Sequence, residues 1–178
     1  NKHQSEKQLL DLIKRKRGSV PLAVCHSRSE SGSAEVSSCT YPARAKGVTK
    51  GMFIGEAKSR CPELIVRPYE FDKYEAATAA MYRCLFALTP HVHGLSTDEA
   101  ILDATAAVYA AISSSSSSSS SSVGADSFED VVAAVAGQLR SAVEAATGGC
   151  TASVGSGPNR LLARLALRDA KPNGHVHM

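Results

Sequence analysis

The 178-residue sequence has no tryptophan and only 5% aromatic residues, so its core must be built from aliphatic and small side chains. Its apolar runs are far too short to span a bilayer as a helix, and no membrane partner is expected. Asn1–Gln8 is polar and charged, which predicts no secretory signal. The five cysteines, Cys25, Cys39, Cys61, Cys84 and Cys150, are odd in number and widely spaced. No C-x-x-C pair is present to seed a zinc site, so reduced, buried, packing cysteines are expected, as in a cytosolic or nuclear protein. His91/His93 and His175/His177 each have the i, i+2 spacing of one strand face. With no third ligand type nearby they read as a surface strand and a frayed C-terminus. The formal net charge of +3 permits nucleic-acid binding but is also that of an ordinary soluble surface.

What is present is an alternation of helix and strand patterns. Ser5–Lys16 reads as a helix stopped by Gly18, with the basic run Lys14–Arg17 at its end. Val20–His26 and Leu64–Arg67 read as strands, with Ser27–Ser38 a loop. Short helices are expected over Tyr41–Lys46, where Pro42 sits in the first turn, and over Gly55–Arg60. Asp72–Leu88 is a long helix with Tyr74, Ala77, Met81, Cys84, Leu85 and Leu88 on one face, ended by Pro90. His91–Leu95 and Ala100–Ala104 flank Ser96–Glu99 as a hairpin.

The uninterrupted serines Ser113–Ser122 cannot bury apolar surface, which predicts a disordered insertion. Ser127 and Asp130 carry a capping-box pattern at the start of a helix whose buried stripe is Val131, Val132, Val135, Leu139, Ala142 and Val143. Cys150–Val154 reads as a strand. Asn159–Ala170 reads as a final helix, with Leu161, Leu162, Leu165 and Ala166 inward and Arg160, Arg164 and Arg168 on another face. The order implies an α+β sheet domain with a small helical attachment.

Three groups of residues suit chemistry. Asp98 and Glu99 are adjacent carboxylates at a hairpin tip. On a regular strand they would point to opposite faces, but a turn lets both approach one ion. Tyr41 and Arg44 lie at i, i+3 on a short helix, and a guanidinium suits bidentate recognition of phosphate. Lys171, before Pro172-Asn173-Gly174, could reach a phosphate as a point charge. Taken alone, the acids read first as solvated turn residues and the Tyr41/Arg44 pair as a packed tyrosine beside an extended arginine, and a helix-end lysine is placed for dipole reasons as well.

Their order and surroundings resemble one family. Ser38–Phe53 is similar to the fingers motif Y-x-A-R-x-x-G-V-x-x-G-M of Y-family translesion DNA polymerases. Gly94–Asp103 resembles their S-x-D-E-A-x-L-D palm hairpin. Ser153–Ala166 with Lys171–Gly174 resembles their G-x-x-x-N-x-x-L-A-[KR]-x-A…K-P-x-G segment, and Cys61–Leu64 fits between the first two. Phe53 after Met52, Leu162–Arg164, Val24–His26 and Ser38-Cys39 resemble the deoxycytidyl transferase branch.

The resemblance implies a ferredoxin-like palm sheet with helices on one face plus small helical fingers. Residues 1–66 would be mainly fingers, and 67–178 palm with the serine insertion at 113–122. Asp98 and Glu99 would be catalytic magnesium ligands for two-metal phosphoryl transfer. Ser38, Tyr41, Arg44 and Lys171 would hold the nucleotide triphosphate. The implied full-length protein is a nuclear nucleotidyltransferase that inserts dCMP from dCTP opposite damaged or abasic sites of primed DNA. Its links to other translesion polymerases or a sliding clamp would lie outside this chain. The first palm strand of the pattern, with a further metal-binding aspartate, is not found. A fragment with an open gap in its sheet and little or no polymerase activity is therefore expected. A bypass polymerase with ordinary template choice, or a non-catalytic scaffold with the polymerase fold, are the alternatives.

Overall fold

A computed structural model describes residues 20–26, 32–116 and 127–178. The helix expected over Ser5–Lys16, with the basic run Lys14–Arg17, lies outside the described residues. The chain divides into two compact units, Asn1–Glu70 and Phe71–Met178.

In the first unit β1 (Leu22–Cys25) pairs antiparallel with β2 (Ser38–Cys39) and parallel with β3 (Ile65–Pro68). Two short helices, α1 (Tyr41–Ala45) and α2 (Ile54–Arg60), separate β2 from β3. Strand alternation sets the core: Ala23 and Cys25 are fully buried, whereas Leu22 and Val24 are half-buried. Val36, Val48, Ile54, Ala57 and Cys61 complete a core of small and β-branched side chains, as the missing tryptophan requires. Burying Ile54 alone contributes about 1.5–3 kcal/mol. Thr40 joins strand to helix: its hydroxyl accepts from the Leu22 N–H and donates to the Val20 carbonyl, each at 2.9 Å.

The second unit begins with α3 (Phe71–Leu88), followed by the hairpin β4 (Val92–Gly94) and β5 (Ala100–Leu102). Then come α4 (Thr105–Ser116), α5 (Phe128–Ala146), β6 (Val154–Ser156), α6 (Arg160–Ala170) and β7 (His175–His177). Two apolar clusters hold it together. Val108 of α4 packs with Val131, Val132 and Val135 of α5, and Leu85 of α3 packs with Leu139 and Val143. The Asp130 carboxylate accepts from the Ser127 N–H at 3.1 Å, so the capping box expected from sequence starts α5.

Among the described residues the strands of this unit form two pairs, antiparallel β4–β5 and parallel β6–β7. Among the described residues β5 and β6 each pair along one edge only. Both line a cavity of about 1260 Å³ whose wall includes Val132 and Val135 of α5.

Several local expectations differ from the fold. Ser113–Ser116 are not part of a disordered insertion but the last turn of α4. The hydroxyl of Ser113 donates to the Tyr109 carbonyl at 3.0 Å and that of Ser114 to the Ala110 carbonyl at 2.6 Å, the way serine is accommodated in a helix. The remainder of the tract lies outside the described residues. The strand expected over Cys150–Val154 begins only at Val154. Leu161 and Leu165 do not face inward; they are 69% and 39% exposed. The buried residues of α6 are Ala166, as expected, and Ala170. Cys84 is half-buried and Cys150 exposed, whereas Cys25, Cys39 and Cys61 are buried as expected. His175 and His177 form β7 rather than a frayed end.

Candidate active site

The carboxylates Asp98 and Glu99 sit in the turn between β4 and β5, so the strand rule that would splay them does not apply. Two N–H groups, of Leu95 and Ser96, donate to the Glu99 carbonyl at 2.9 and 3.0 Å and close the turn. The Ser96 hydroxyl donates to Asp98 Oδ1 at 2.7 Å, which fixes one carboxylate oxygen. Glu99 Oε1 lies 4.0 Å from Arg164 Nη1 of α6, with both side chains well exposed. Such a surface pair contributes at most a few tenths of a kcal/mol.

The same turn is gripped from below by α3. Thr78 Oγ1 donates to the Thr97 carbonyl at 2.8 Å. Tyr82 Oη lies 2.9 Å from the Ser96 carbonyl and 3.3 Å from that of Glu99. Neither residue stands out in the sequence. Only their i, i+4 spacing is visible there, which places both on one face of α3.

Asp103, at the far end of β5, is turned to another task. Its carboxylate accepts from the Thr105 N–H at 3.0 Å where α4 begins. Hydrogen bonds from the Thr105 side chain and backbone hold it below the ordinary carboxylate value.

Tyr41 and Arg44 are brought together as their spacing requires. Arg44 Cζ stands 5.1 Å from the Tyr41 ring centroid, a cation–π contact, and the Tyr41 side chain is half exposed. Arg44 Nε donates to the Cys39 carbonyl at 3.2 Å, which orients the guanidinium and leaves its terminal nitrogens unpartnered among the described residues. Ser38 is exposed in β2, paired with Val24. Lys171, also exposed, caps the C-terminal end of α6.

Hard oxygens on a solvent-facing turn suit magnesium, which keeps several waters and commonly takes one or two carboxylates plus substrate phosphates. Among the described residues no group of three or more His, Cys, Asp and Glu could hold a metal by itself. Asp98 and Glu99 thus fit an ion completed by water and phosphate oxygens, not a closed protein cage.

Residues 10–168 match the impB/mucB/samB family, and the chain belongs to that family, the Y-family DNA polymerases. It is 40% identical over 158 residues to the DNA repair protein REV1 of Arabidopsis thaliana, covering 89% of this chain and 12% of that protein. Against the DNA repair protein rev1 of Schizosaccharomyces pombe it is 40% identical over 154 residues, 86% of this chain and 14% of that protein. Among solved structures, DinB from Sulfolobus solfataricus superposes with a TM-score of 0.74 at 26% identity, covering 96% of this chain and 44% of that one. The insertion ternary complex of Dbh DNA polymerase gives 0.72 at 27% identity, covering 99% and 45%. The chain therefore spans about an eighth of the curated relatives' length and under half of the solved polymerases.

Proposed function

We propose that this chain is the fingers and palm portion of a translesion polymerase that inserts dCMP opposite damaged or abasic template positions. The observation that carries the reading is the palm turn with Asp98 and Glu99 side by side at a solvent-facing tip, in a chain 40% identical to proteins named for DNA repair. On this reading residues 1–66 would be mainly the fingers portion and 67–178 the palm.

In the reaction, the 3′-oxygen of a primer attacks the α-phosphorus of dCTP. A P–O bond forms, the α–β bridging bond breaks, and pyrophosphate leaves with the electron pair. Asp98 and Glu99 would hold magnesium, which when bound would supply electrostatic stabilisation of the phosphoryl oxygens. Arg44 offers its terminal nitrogens to phosphate oxygens as a fork, Tyr41 and Ser38 donate hydroxyl hydrogen bonds, and Lys171 adds a point charge. Primed, damaged DNA in the nucleus is the substrate. Other translesion polymerases or a sliding clamp are engaged through regions beyond this chain.

Single-nucleotide insertion opposite an abasic site by the full-length protein tests this. Insertion strongly favouring dCTP, lost in Asp98→Ala, is expected, with little or none from the 178-residue chain alone. Equal use of all four nucleotides according to template would instead mean an ordinary bypass polymerase.

A further inference from the structure

We propose that Tyr82 and Thr78 are positioning residues for the metal-binding carboxylates; the inference rests on the reading of Asp98 and Glu99 as that site. Two adjacent carboxylates repel one another, and a four-residue turn exposed to solvent has little packing of its own to hold both toward one ion. Here the turn's backbone is held from outside. Three of its four carbonyls, those of Ser96, Thr97 and Glu99, lie within hydrogen-bond distance of side-chain hydroxyls from a single helix.

Those hydroxyls stand one helical turn apart on an 18-residue helix anchored in the apolar core through Leu85. The rigidity of the helix is thus transmitted to the backbone that carries the ligands. Gly94 is part of the device: a Cβ there would lie 2.7 Å from Tyr82 Oη, so any other residue would drive the phenol out of the turn. The Ser96 hydroxyl completes it, because the residue whose carbonyl Tyr82 engages also donates to Asp98 Oδ1. The helix therefore acts on the ligand oxygens through one residue, without touching the ion.

Tyr82→Phe removes one hydroxyl and keeps the ring that stands 6.4 Å from Phe86. Thr78→Val removes the other at nearly constant volume. A net hydrogen bond of about 0.5–1.5 kcal/mol corresponds to a weakening of roughly two- to tenfold per variant if the clamp pre-organises the site.

The test is Mn2+ titration followed by the electron paramagnetic resonance of the free ion, with Mn2+ as the probe for a hard oxygen site. Wild type, Asp98→Ala, Tyr82→Phe, Thr78→Val and the Tyr82/Thr78 double variant are compared, each with its metal-free melting temperature. Expected are loss of the site in Asp98→Ala and weaker Mn2+ binding in both single variants. The weakening should be larger in the double variant and should persist where the metal-free melting temperature is unchanged. Loss in Asp98→Ala with unaltered affinity in the double variant overturns the inference and leaves the site standing. Binding that survives Asp98→Ala overturns the site reading, and the inference with it.

Discussion

One hydroxyl, that of Ser156, stands 2.9 Å from His175 Nε2 and 2.9 Å from His177 Nδ1. Its single proton can serve only one ring, so the other must donate its own. Burial, then the charge of His177, then that of Arg140, push the His175 imidazole below its ordinary value near 6.5. The fold therefore prefers the neutral ring, while the unfolded chain gains a proton as pH falls through that value. Stability from this residue is present above about pH 6.5 and is lost as pH drops toward the lower folded value. Urea midpoints at pH 7.5 and 5.5 should differ more in wild type than in His175→Gln; equal differences would remove His175 from the account.

At this scale Asp98, Glu99, Tyr41 and Arg44 were legible in the sequence because fixed neighbours surround them. Tyr82, Thr78 and the Ser156 relay were not, because each depends on a contact 14 to 21 residues distant in the chain.

Among the elements, β6 and α6 show how a small residue fixes a packing distance. A Cβ on Gly155 would lie 2.2 Å from both the Ala163 carbonyl oxygen and the Leu167 nitrogen, backbone atoms that no rotamer change can move. Gly155→Ala should therefore separate strand from helix and destabilise the second unit by about 2–3 kcal/mol, read from denaturant unfolding. At the start of α6, Asn159 Oδ1 accepts from the Leu162 N–H at 3.0 Å, and Asn159→Ala should cost about 1 kcal/mol.

Most helices were readable from apolar period and caps; α5 shows both, although Ala142, expected on its buried stripe, is exposed. Helix α4 was missed because Thr105–Ile112 is alanine-rich without a polar face and runs into serines, whose composition signals disorder. The buried side of α6 was misjudged because leucine at helical spacing normally marks the core. Here the buried positions of α6 are taken by Ala166 and Ala170.

Over the whole molecule, the motifs announced the family in chain order, and the fold carries them on two units. Ser38, Tyr41 and Arg44 belong to the first, and Asp98, Glu99 and Lys171 to the second. The division into strand pairs was less legible, since pairing depends on which strands meet in space.

The central proposal is that Arg44 takes the triphosphate of dCTP, and calorimetric melting with and without millimolar magnesium and dCTP tests it most directly. A ligand that binds only the folded state stabilises it by RT ln(1 + [L]/Kd), about 2.7 kcal/mol at a hundred times Kd. The account expects a rise in melting temperature in the wild-type chain that disappears in Arg44→Ala. A wild-type chain that melts at the same temperature with and without both ligands would contradict it.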